Sequence, residues 1–126
     1  MENDPAAFNA ALLKSIHEAN EYQRTIAKTR EEGLCALKRL LPIAQGYGGQ
    51  ARIVTAFLLG LYNGRRFPFD LTDFRSLDYR IFCDCLLLLR MDYQPQREIH
   101  EHIKNGGQLL EKLAEDWNIP DRTRAT

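Results

Sequence analysis

The side chains able to do chemistry in this chain are few, and their spacing settles most cases before any fold is considered. Cys83 and Cys85 stand two apart in a strongly apolar run. Positions two apart on an α-helix point about 200° away from each other, so the two sulfurs cannot close on one metal ion or on one another. Both are expected as core thiols. His100 and His102 fail as a metal pair by the same geometry and are expected as surface histidines; no His-Glu-x-x-His pattern occurs. Glu98 and His102, four apart, share a helix face, where an ordinary surface pair is the expectation. Gly46-Tyr47-Gly48-Gly49 is rich enough in glycine to cradle a phosphate, yet no strand precedes it and no Lys-Ser/Thr pair follows. It is expected to be a turn. No G-x-S-x-G or other nucleophile motif is present. The sequence therefore assigns no catalytic residue, no metal ligand and no cofactor.

What remains is a polar set without a reaction attached. Gln50, Arg52, Asp70, Asp73 and Asp78 gather around the junction of two expected helices, and Arg65-Arg66 form the loop between those helices. Asp70 and Asp73 are expected to start a helix. Asp78 falls on the apolar side of its helix, where an unpaired carboxylate is costly. Arg52 is its expected partner, with a nonadditive double mutant as the consequence. The candidate binding residues are thus Gln50, Arg52, Arg65, Arg66, Asp73 and Asp78. A helix-turn-helix reader built on the same junction would turn Asp73, Asp78 and Asp84 toward phosphates, which repel them.

These residues sit in a chain that reads as all-α, a single-domain bundle of five to six helices over residues 1–120, with a flexible polar tail over 121–126. The organising stretch is residues 69–91, expected as one buried central helix over about 71–91, because Leu77, Ile81, Phe82, Cys85, Leu86, Leu88 and Leu89 spread over most of its circumference. Asp70 caps it, and Phe69 and Phe74 are spaced as a hydrophobic staple. Asn3-Asp4-Pro5 opens a first helix with a narrow stripe of Phe8, Leu12, Ile16, Ala19 and Tyr22. Such a stripe lies on the core or forms a seam for a partner helix. The capping-box spacing of Thr29 and Glu32 predicts a new helix there, kinked or ended near Lys38 to Pro42. A third runs from Gln50 to Asn63. Beyond Pro95 the apolar phase passes straight through Gly106-Gly107, but double glycine disfavours helix by about 2 kcal/mol, which favours two helices over one.

Composition narrows the class further. Seventeen basic residues balance seventeen acidic ones, six of each in residues 1–50 and eleven of each in 51–126. A chain with no cationic excess lacks the footprint of a general nucleic-acid binder. Its longest uncharged stretch, Ile53 to Gly64, is too short for a membrane span. Three cysteines and the lack of a charged-then-apolar leader at Met1 point to a reducing, cytoplasmic setting.

The stretch from Leu37 to Asp78, above all Ala44-Gln45-Gly46, Gly49-Gln50, Arg52, Phe57-Leu58-Leu59, Asn63 and Phe69-Asp70-Leu71-Thr72-Asp73, resembles a family of small uncharacterised proteins encoded on proteobacterial plasmids and integrative elements. That resemblance implies a bacterial, mobile-element context and no chemistry. The leading expectation is a noncatalytic interaction module, an accessory or inhibitory protein. Its partner is another protein or a second copy docked on Phe8, Leu12, Ile16 and Tyr22, and deletion of residues 1–28 is expected to leave a folded domain. The alternative is a nucleic-acid-associated regulator using Arg52, Arg65 and Arg66.

Overall fold

A computed structural model describes residues 4–124; Asn3 of the expected helix start and residues 125–126 of the expected tail lie outside the described residues. Among the described residues the fold is all-helical and contains no strand. It has four α-helices: α1 (Pro5–Ala44), α2 (Gly49–Tyr62), α3 (Tyr79–Tyr93) and α4 (Gly106–Asp116). Two 3-10 helices, Leu71–Ser76 and Ile99–His102, lie before α3 and α4.

The first helix is one element where the sequence predicts two. Asp4 accepts from the Ala6 N–H at 3.0 Å and Pro5 occupies the first turn, as expected. The helix then runs through Thr29 without a break. A capping box stabilises a helix start, but extending an existing helix orders fewer dihedrals per hydrogen bond than nucleating a new one, and no glycine or proline lies between Pro5 and Gly33 to stop it. Pro42 stands in the final turn, and the helix ends at Ala44. There the orphaned carbonyl of Ala44 accepts from Thr55 Oγ1 at 3.2 Å and Trp117 Nε1 at 3.3 Å, tying the end of α1 to α2 and to the end of α4.

The element touching all the others is α2, with Ala51, Val54, Thr55, Phe57, Leu58 and Leu59 buried. Gly48, at φ +92, turns the chain into it. The expected central helix over 71–91 is corrected in extent and in burial. Asp70 does cap, accepting from Thr72 N at 2.9 Å, but it caps a 3-10 helix that ends at Leu77, an extended residue, so α3 starts only at Tyr79. Of α3 only Cys85, Leu88 and Met91 are buried, while Leu86 and Leu89 are 38% and 42% exposed. An apolar circumference calls for cover on every side, and α3 receives it mainly from α1 on one. The staple is present: the Phe69 and Phe74 rings lie 4.9 Å apart and both meet Phe57.

At the carboxyl end the chain forms two elements, not one. Asn105 turns left-handed at φ +53, and α4 starts at Gly106. Residue 121 does not begin a free tail, because Asp121 is bonded to Arg66 and the Arg122 N–H donates to the Arg66 carbonyl at 2.8 Å.

Candidate functional site

The junction of α2 and α3 brings together two of the expected binding residues and leaves out a third. Gln50, in the first turn of α2, reaches the residue that precedes α3: its Nε2 donates to Asp78 Oδ2 at 3.2 Å, and its Oε1 accepts from the Asp78 N–H at 2.6 Å. The expected Asp78–Arg52 pair is not made. Arg52 is exposed on α2, and Asp78 is exposed at the mouth of α3, so no buried carboxylate demands a cation. The wheel misplaced Asp78 because it assumed a helix already running at that position. Removing Gln50 and Asp78 singly and together should give a double-mutant cycle coupled by about 0.5 to 1.5 kcal/mol. The Arg52 and Asp78 cycle should add within error; urea melts of both sets decide between the pairings. Asp73, half-buried in the 3-10 helix, does not join this junction.

Arg65 and Arg66 part company. Arg66 grips Glu111 with two hydrogen bonds, 2.7 Å and 2.8 Å, donates to Asp121 from Nε at 2.7 Å, and lies 4.7 Å over the Phe67 ring. Tyr62 also donates its hydroxyl to Glu111. A guanidinium held by two carboxylates is not free for phosphate, so the expected basic patch keeps Arg52 and Arg65 alone. Position 66 had no sequence signal for this role, since Glu111 and Asp121 lie far along the chain.

The clamp also sets acid stability. The Arg66 hydrogen bonds hold Glu111 down at about 2, and the Thr123 hydroxyl together with Arg66 holds Asp121 at about 2. Burial, with Glu98 nearby, pushes Asp92 up to about 6. Depressed carboxylates contribute stability that is present above their unfolded value and lost as pH falls through the folded one; the raised Asp92 contributes below its unfolded value and loses that contribution as pH rises through 6. Stability should therefore rise from about pH 2, peak near the ordinary carboxylate values of 3.8 to 4.5, decline from there to about pH 6 and level off above it. Urea midpoints across that range test this, and Asp92→Asn should flatten the decline on the alkaline side.

Cys85 is buried, and burial raises its thiol to about 12; Cys83 is half-buried and Cys35 is exposed. The expectation of core thiols therefore holds fully only at Cys85. The helix face expected for Glu98 and His102 is replaced by a 3-10 helix in which the Glu98 N–H donates to Glu101. His100, read as a surface residue, is half-buried with its ring edge-on to Tyr62 at 5.3 Å. Among the described residues no group of three or more His, Cys, Asp and Glu is placed to hold a metal ion. No helix of the described residues is long and apolar enough to cross a membrane.

The largest exposed apolar feature is the first half of α1. Every residue from 5 to 25 is exposed, among them Phe8, Leu12, Ile16 and Tyr22 at 69%, 49%, 48% and 55%. At about 1.5 Å per residue, this is a bare arm of about 30 Å. Where the arm meets the body, Tyr22, Ile26 and Arg30 of α1 and Met91 and Gln94 beyond them line a groove of about 340 Å³. Arg39, which the sequence did not single out, locks α1 to α3 through two hydrogen bonds to Asp84.

Residues 34–118 match a Family of unknown function (DUF7673), which is two thirds of the chain. The chain belongs to DUF7673. The match reaches well past Asp78, where the sequence resemblance stopped, and it starts inside α1, so the bare arm precedes the part of the chain shared with the family. No curated protein and no solved structure matches the chain.

Proposed function

We propose that this DUF7673 protein is a noncatalytic interaction module of the bacterial cytoplasm, an accessory or inhibitory protein of a mobile element, which acts by offering the α1 arm to a helix of another protein chain. The observation that carries the reading is the arm itself. In proteins most helical stability comes from packing an amphipathic face, and an amphipathic helix whose apolar stripe is uncovered gains that stability by burying the stripe against a second helix. The mobile-element setting rests on the resemblance of Leu37 to Asp78 alone.

The alternative, a nucleic-acid-associated regulator, draws on Arg52 and Arg65, both exposed. It is weakened by the Glu111 and Asp121 carboxylates that occupy Arg66. Two arginines without a third give a shallow salt dependence.

Deleting residues 1–28 tests the reading. The shortened chain should melt cooperatively and lose its protein association, while the full chain passes through immobilised DNA at low salt. Unfolding of the shortened chain would instead make the arm part of the core, and salt-dependent retention of the full chain on DNA would favour the regulator.

A further inference from the structure

Resting on the reading of the arm as an interaction element, we infer that its occupant is the arm of a second copy of this chain, paired antiparallel about a two-fold axis near His17. On a 100° wheel, Phe8, Leu12, Ala19, Tyr22 and Ile26 fall on the same side of α1 as the buried Gly33, Leu37 and Leu40. The face that α3 covers in the body thus continues to the amino end: at the groove Ile26 is half-buried and the Tyr22 hydroxyl donates to Gln94 at 3.3 Å, and from Ala19 to Phe8 the face is exposed. The Gly33–Met91 contact and the Arg39–Asp84 pair show that α3 runs antiparallel to α1 and stops at the groove beside Arg30. A second helix laid on the bare stripe extends the same packing past that point.

Three features select a second copy running the other way. A parallel pair would bring both α3 helices onto the same end of one seam, where they collide; an antiparallel pair sends the two bodies to opposite ends. The arm is electrically balanced, Lys14, Arg24 and Lys28 against Asp4, Glu18 and Glu21, so it meets itself without net repulsion. Centring the two-fold on the bare stripe places Phe8 opposite Ile26 of the second copy, at the mouth of the groove, and Asp4 level with Arg30 of the second copy. Among the described residues Arg30 Nε is buried there with no partner. Asp4 uses Oδ1 to cap its own helix and keeps Oδ2 for that guanidinium. A heterologous partner helix has no such built-in match.

Sedimentation of the full chain up to about 100 µM should show a reversible dimer. Leu12→Glu or Phe8→Glu should raise its dissociation constant by about 100-fold with no change in the melting of the body, since both side chains are exposed. In a Cys35→Ser background, chains with Ser15→Cys mixed with chains carrying Ala19→Cys should form a disulfide dimer on oxidation, whereas neither does so alone. A monomer at every concentration overturns self-pairing and leaves the wider reading of the arm standing. A dimer that survives both glutamate variants, or a Ser15→Cys chain that bridges to itself, overturns the antiparallel arm. If the body instead unfolds in the glutamate variants, the arm is not a free element and both readings fall.

Discussion

Leu88→Ala will lower the unfolding free energy by about 2 to 5 kcal/mol, while Leu86→Ala, two residues earlier, will change it by less than about 1 kcal/mol. Both leucines lie in α3, and sequence alone assigns them the same burial. Leu88 is fully enclosed, facing the cluster of Leu37, Leu40, Val54 and Leu58, so truncation leaves a cavity that the surrounding α1 and α2 side chains cannot close. Leu86 is 38% exposed, and its lost methyl groups were partly in water already. Paired urea melts at one pH measure the difference directly. Equal effects for the two would mean that α3 is covered on both sides.

Gly106→Ala will destabilise by about 3 kcal/mol, and Gly107→Ala, its neighbour, will be neutral or stabilising by up to about 1 kcal/mol. A Cβ on residue 106 would stand 2.0 Å from the His100 carbonyl oxygen, and this oxygen belongs to the backbone of a tight 3-10 helix that has no rotamer to change. Either that helix or the start of α4 must move, which loosens the buried Ile99 and Leu110 on the two sides. A Cβ on residue 107 meets nothing nearer than 4.0 Å, the edge of the His100 ring. There alanine simply removes the entropic penalty of glycine in a helix. Thermal melts of the two variants should move in opposite directions; a parallel loss would place the cost in helix initiation rather than in the close approach to His100.

The double glycine thus has two different jobs, and only one could be read from the sequence. Local chemistry foretold that Asn105-Gly106 interrupts a helix, because a left-handed residue followed by glycine costs little backbone strain. It could not show that a carbonyl six residues upstream would press on the Cα of Gly106.

The same division holds across the chain. Features fixed by near neighbours were legible: the Asp4 cap with Pro5 behind it, the Gly48 turn, the α2 stripe of Val54, Phe57 and Leu58, the Phe69–Phe74 staple and the wholly helical class. Each depends on interactions within about one or two turns, which spacing encodes. The tertiary structure decided what depends on distant partners. It gave Asp78 to Gln50 instead of Arg52, enclosed Arg66 between Glu111 and Asp121, and left one side of α3 open to solvent. It also joined residues 5–44 into one helix and placed the body on only the second half, and that placement is what leaves Phe8, Leu12 and Ile16 bare and Tyr22 tied to the body only at its hydroxyl, which donates to Gln94. An amphipathic pattern shows which face of a helix seeks cover. Whether any part of the chain reaches that face is set by the length and direction of the other helices, which the stripe itself does not contain.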